Sequence, residues 1–423
     1  MDRKPAALAA LAVLALAAPA AASTPAAADS GDSAWIITAS ALVLLMTLPG
    51  LALFYGGLVR ARNVLSVLMH CFVIACTTSL VWATFGYSLV FGAGGDLIGG
   101  LGNAMLVGLA DVRDATTLPE SVFVLFQMTF AIITPALIIG AFVERVRFGW
   151  VVGFTTLWSI LVYLPVARWV WGGGWLAGVG VLDFAGGIVV HTTAGVAALV
   201  LAIMVGGRKG FPRSPMIPHS PAITMTGAGL LWVGWYGFNG GSALAANGAA
   251  ASAILNTHLA ACAAALAWIV AERIKIGKPT SIGIVTGAIA GLATVTPAAG
   301  YIGAGGAMLL GLAGGLLCFA AVLIVKQRFL VDDSLDVFAV HGIGGMLGSL
   351  AFPLLMTTPP AIGVAGQLAA QATGVGATAL FTAAVTVVIA WAVARVVPMR
   401  VDVEAEHDGL DISSHGERGW DFT

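Results

Sequence analysis

Long apolar runs, separated by short polar or charged breaks, set the pattern of this 423-residue chain. A helix that crosses a bilayer needs about 20 mostly apolar residues. By that measure the pattern predicts eleven spans, at 34–57, 64–91, 121–143, 148–166, 185–205, 222–240, 250–271, 281–297, 301–325, 337–356 and 372–394. Ahead of them, Arg3 and Lys4 precede an Ala/Leu run from Ala6 to Ala18 and then the small residues "PAAAS". Basic, apolar and small regions in that order predict a signal peptide over 1–22, cut near Ala22 or Ser23; a retained first membrane helix is the alternative. The expected organisation is then a short extracytoplasmic N-terminus over 23–33, a membrane domain over 34–397 and a cytoplasmic tail over 398–423.

The pattern also echoes itself. "FYGG" closes the first span at Phe54–Gly57, and "FNGG" closes the sixth at Phe238–Gly241. Thr134-Pro135 in the third span is matched by Thr296-Pro297 in the eighth, and His191 in the fifth by His341 in the tenth. The pairs keep one order and lie five spans apart. Because five is odd, the halves must run in opposite directions, the signature of inverted-repeat transport proteins. The expected fold is an all-α polytopic membrane protein: eleven transmembrane helices, as two inverted five-helix repeats plus a C-terminal helix.

Composition agrees with a bilayer. Hydrophobic residues are 59% of the chain and charged ones 9%, where a soluble domain carries about a quarter charged. With loops numbered alternately from an outer start, the inner side receives fifteen Lys and Arg, from Arg60 to Arg418. The outer side receives only Arg113 and Arg168, Arg3 and Lys4 being set aside. That positive-inside bias predicts an odd number of spans with the N-terminus out and the C-terminus in; the expected location is the inner (plasma) membrane. The net charge of −1 points to no nucleic acid. Cys71, Cys76, Cys262 and Cys318 form no metal-ligand spacing and read as apolar packing residues, so no cofactor or metal is expected.

Ionisable groups inside the spans are costly and mark a cavity or a partner. His191 and His341 are such groups at matching places. A packed histidine bonded to a carbonyl is the bland reading of either one. His70 and His258, also five spans apart, form a competing pair. Gly187 and Gly195 around His191, and Gly345 after His341, favour the first pair, because small residues let helices approach. Paired imidazoles can share a proton and present their other nitrogens to a small guest. Asp183 stands where a helix N-cap is needed, or where a cation would be drawn to the outer mouth. "VWGGGW", Phe126 with Phe130, and "GWYGFNGGS" bring aromatic groups to the same side. Aromatic faces attract cations, although Trp also anchors spans at the membrane interface.

At "PGLALFYGGLVRARNVLS", "GAFVERVRF", "VWGGGW", "LDFAGGIVVH", "GWYGFNGGSALAAN", "GAIAGLATVTPAAGYIG", "VDDSLDVFAVHGIGG" and "GLDISSHGE" the chain resembles bacterial ammonium transporters of the Amt/MEP/Rh superfamily. The resemblance implies a homotrimer with one pore per subunit. It implies that Phe126, Trp171 and Ser242 recruit ammonium, that Phe130 and Phe238 gate the pore, and that His191 and His341 line it. Asp183 is then a structural carboxylate, and Gln127 and Thr296 lie near the path. The tail is implied to meet a PII-type signalling protein at the cytoplasmic face. The expected function is recruitment of ammonium, its deprotonation and conduction of ammonia, with a separate proton route through the imidazoles left open. An electroneutral Rh-like ammonia channel and an ammonium sensor are the alternatives; the lack of an added signalling domain after Met399 argues against the sensor. No nucleophile–base pair or phosphate loop suggests an enzyme.

Overall fold

The computed structural model describes residues 27–214 and 216–420; the predicted signal peptide lies outside them. The chain folds into helical rods in the predicted order. They are α1 (Ser30–Leu58), α2 (Ala61–Phe91), α3 (Glu120–Ala141), α4 (Phe148–Val179, broken by a turn after Trp171), α5 (Gly187–Val205), α7 (Gly248–Lys275), α9 (Ala304–Arg328) and α11 (Gly363–Ala394), with α6 (Pro221–Gly241), α8 (Ser281–Val295) and α10 (Phe338–Leu354) between them. The first eight named are long and apolar enough to cross a membrane, and α8 and α10 are shorter apolar helices. Among the described residues β-pairing is limited to isolated bridges. This is an all-helical, polytopic membrane protein.

Three ends depart from the sequence reading, each for a local reason. Helix α1 begins at Ser30, inside the stretch 23–33 expected to be a short extracytoplasmic N-terminus ahead of the first span. Asp29 caps it by accepting from Asp32 N at 2.8 Å, as an N-terminal carboxylate should. Helix α4 continues through Val170, so Arg168, expected in a loop, is helical and buried. Its guanidinium donates to the carbonyls of Val90, Gly92 and Gly95 at 2.9–3.1 Å, fixing the loop after α2. Helix α11 begins at Gly363 rather than near 372. Its early polar residues interrupt the apolar run but are satisfied internally. Gln371 accepts from Leu182 N and donates to Leu182 O, both at 2.8 Å, and Gln367 donates to Gly180 O.

Helices α5 and α10 meet at backbone level. A Cβ on Gly195 would collide with the backbone of Gly342, and one on Gly345 would lie 2.6 Å from Gly187 O and from the His191 Cβ. Two of the three glycines singled out in the sequence therefore face the partner helix; the third, Gly187, faces Pro297 of the other echo pair. Both helices open with a wide, π-type turn, Gly187–Thr192 and Phe338–Gly342. His191 N bonds Gly186 O, five residues back, at 2.9 Å. Helices α1, α2, α4 and α9 carry such turns as well; these two differ in holding the histidines.

At the end opposite Trp171 the loops are locked by charge. Glu144 accepts from Arg60, Asn63 and Arg208 at 2.8–2.9 Å, and Arg208 also pairs with Asp332. Burial alone would raise the Glu144 carboxyl, but Arg208 and Arg60 outweigh it and hold the group below its usual range. The tail closes over this network. Helix α12 (Val403–Asp408) brings Glu406 to Arg400 and Lys209 N, and α13 (Leu410–His415) brings Asp411 to Ser66 N.

Candidate functional site

Near the Trp171 end a hollow of 160 Å³ is lined by Phe123, Gln127, Phe130, Trp171, Asp183 and Ser242, among others. Its geometry starts with Asp183. The carboxylate accepts four backbone N–H bonds, from Gly186 and Gly187 to one oxygen and from Ile188 and Val189 to the other, at 2.7–3.0 Å. That exceeds the single cap expected from sequence. The loop can fold back this tightly because Gly186 takes φ 117°, where a side chain would press on Val190. Burial pushes the Asp183 carboxyl up, against the four N–H groups that favour its ionised form. The Asp183 carbonyl accepts from Trp171 Nε1 at 2.9 Å and so aims the indole. Ser242 donates to Phe238 O at 2.8 Å, which spends its hydrogen and leaves oxygen lone pairs.

The floor of the hollow is Phe130, stacked on Phe238 with centroids 4.2 Å apart and planes 25° apart. Trp171 meets Phe130 edge-on at 5.7 Å. Phe126 is fully buried one layer behind, edge-on to Phe130 at 5.0 Å and packed against Gly241. The structure brings it to the floor's support, whereas Phe123 joins the lining.

Below the stack lie the two imidazoles. Phe238 tilts against His191 at 6.1 Å, and His191 lies nearly parallel to His341 at 5.2 Å. Their Nδ1 atoms are 3.2 Å apart, so one must carry the hydrogen and the other accept it. His191 Nε2 is buried without a partner. The competing pair does not form. His70 stacks on Phe148, while His258 takes the Tyr236 hydroxyl at 2.7 Å. Sequence reasoning missed Trp235, which lies parallel to His191 at 5.5 Å and donates to Thr296 Oγ1 at 2.9 Å. Thr296 thus acts behind Trp235; the indole's position in "GWYGFNGG", three before Phe238, was the available signal.

A second hollow, of 200 Å³, opens at the tail end against Phe54, Arg208, Lys326, Ser334 and Asp336. Asp336 pairs with Lys326 at 2.7 Å, and it is Asp333 that accepts from Phe338 N at 2.8 Å and caps α10. Among the described residues no three His, Cys, Asp or Glu side chains group as metal ligands.

Two hollows at opposite ends of an apolar helical bundle, with stacked rings and buried imidazoles between them, have the build of a small-solute membrane transport protein. The sequence profile of the Ammonium Transporter Family matches residues 34–420. The chain is 47% identical over 400 residues to the ammonium transporter of Bacillus subtilis, covering 92% of this chain and 98% of that one. It is 43% identical over 396 residues to ammonium transporter Amt1 of Archaeoglobus fulgidus, covering 92% and 98%. The crystal structure of Candida albicans Mep2 superposes with a TM-score of 0.82 at 36% identity, covering 89% of this chain and 87% of that one. A solved structure described as a sensor Amt protein gives 0.86 at 29% identity, covering 91% and 98%. The chain belongs to the ammonium transporter family.

Proposed function

We propose that this ammonium transporter recruits ammonium in the Trp171 hollow, deprotonates it near Phe130 and Phe238, and conducts ammonia past His191 and His341. One observation carries the reading: a closed pair of phenyl rings separates an aromatic hollow from a buried, neighbouring pair of imidazoles. Potassium and ammonium resemble each other in size and charge, so a simple cation hole separates them poorly. Ammonium can surrender a proton and potassium cannot. Aromatic faces and the Ser242 oxygen favour a cation in the hollow. The apolar rings below penalise any bare ion, whose burial is expensive, but pass a neutral molecule. The imidazoles offer nitrogens to ammonia and a route for the separated proton.

In this reading the protein crosses the inner (plasma) membrane eleven times, with its N-terminus outside and its tail in the cytoplasm, after removal of a signal peptide. The resemblance supports a homotrimer, and the folded tail offers a surface for a PII-type regulator. The test is an ammonium pulse on proteoliposomes, with potassium as control. Current with ammonium alone is expected. Internal alkalinisation beyond protein-free liposomes without current would instead establish an electroneutral channel. Neither signal from folded protein would favour a sensor.

A further inference from the structure

Helices α7 and α9 run side by side in one direction. Small residues set their register: Gly311 lies against Ala260, and Gly315, four residues on, against Ala264. Carried along both helices, that register brings Arg328 level with Gly277. The two helices therefore end together, at the tail end, where Lys326 of α9 lines the second hollow. Apolar tips and cations alternate there. Ile274 is 81% exposed and Phe329 66%, and Arg273, Lys275, Lys278 and Arg328 stand exposed among them. Arg273 donates to Gly277 O and so holds its own turn. Among the described residues Lys275, Lys278 and Arg328 have neither an ion pair nor a hydrogen-bond partner. The neighbouring carboxylates are spent: Glu272 is buried and holds Thr280, and Asp336 pairs with Lys326.

Behind this collar neither helix carries a charge, from Gly248 to Ala271 or from Ala304 to Val325. Leu266 and Val270 of α7, and Leu312, Leu316 and Ile324 of α9, are exposed and lead up to the collar. An apolar face of membrane length suits hydrocarbon, and unpaired cations at its edge suit phosphate. Another protein surface could match the face, but only an anionic headgroup on acyl chains matches face and collar together. We propose that the joint end of α7 and α9 binds an anionic phospholipid, its headgroup phosphate held by Lys275, Lys278 and Arg328 and its chains lying along the two apolar faces. The inference stands apart from the ammonium reading, because it concerns the outer surface of the bundle and not the path through it.

The purified protein in detergent is titrated with phosphatidylglycerol or with phosphatidylcholine of the same chains, and retained lipid is counted by native mass spectrometry. The wild type is compared with the triple variant Lys275→Gln/Lys278→Gln/Arg328→Gln. A control, Arg62→Gln/Arg213→Gln/Arg418→Gln, removes three other exposed cations. The wild type is expected to prefer phosphatidylglycerol. The first triple variant should lose about ten-fold of that preference, since each cation adds to the attraction of an anionic lipid, and the control should keep it. The double variant Lys275→Gln/Arg328→Gln serves, with a smaller loss, if the triple fails to fold. Equal loss in both triple variants overturns the proposal and assigns the preference to the general positive charge of that end. Displacement of the lipid by equimolar glycerol phosphate also overturns it, because the apolar faces would then contribute nothing. So does a wild type that prefers neither lipid, which would leave the face to a second copy of the chain.

Discussion

Asp183 and Asp333 stand at matching places, before α5 and before α10, and are satisfied differently. Asp183 spends both oxygens on four N–H donors. Asp333 caps with one oxygen, and its other is buried without a partner. Burial and then Asp336 push the Asp333 carboxyl up to about 6. The sequence shows the carboxylates but not this contrast, which depends on the left-handed turn at Gly186. The histidines are better read from sequence: their order and flanking glycines single them out, though the Nδ1–Nδ1 contact needs coordinates. Under the proposed mechanism each imidazole is used, so His191→Ala and His341→Ala should each cut ammonium conduction or let potassium current through. Proteoliposome currents check this; wild-type rate and selectivity in both single variants would remove the pair from the mechanism.

At the scale of elements, the existence and order of the helices were legible and several ends were not. Gln371 reads as a break in an apolar run because its partner, Leu182, lies 189 residues away. Arg168 reads as a loop residue because the carbonyls it gathers belong to the end of α2 and the loop after it. The wide turns that carry the histidines leave no mark in hydrophobic periodicity. The contact between α5 and α10 is the one packing feature that small residues announced. Gly195→Ala should force the helices apart, since its Cβ would meet backbone rather than a movable side chain. Overpacking of this kind costs about 1–3 kcal/mol. The apparent melting temperature of the purified protein should fall, whereas Gly229→Ala, with open space around it, should leave it nearly unchanged.

Over the whole molecule, Arg60, Glu144, Arg208, Asp332 and Glu406 tie four loops and the tail into one block. Sequence reading placed the basic members on one side, but it had no means to pair residues up to 346 positions apart. Glu144→Gln removes the charge that pairs with Arg60, which keeps the Glu406 carbonyl at 3.5 Å, and weakens the hold on Arg208. Breaking a buried pair costs about 3–5 kcal/mol; Arg208 keeps Asp332, so the lower end is expected, read as a lower melting temperature and faster amide exchange in α12 and α13. The pH dependence has a definite sign. The Glu144 and Asp332 carboxyls are held below their ordinary values of 4.5 and 3.8. The unfolded chain therefore binds more protons just below those values. Their contribution is fully present above about pH 4.5 and is lost as the pH falls through the depressed folded values. Loosening of the tail from these two groups, read as lost protection of the α12 and α13 amides after correction for the intrinsic pH dependence of exchange, should accordingly set in below about pH 4.5.

The backbone contact between α5 and α10 also makes the centre of the molecule a gauge. Where helices are spaced by side chains, a rotamer change can widen the gap for a larger visitor. Here Gly195 rests on Gly342 and Gly345 on Gly187, so the separation is written in main-chain atoms and no rotamer can alter it. Under the proposed mechanism a bulkier amine would have to move two whole helices, together with everything packed behind them.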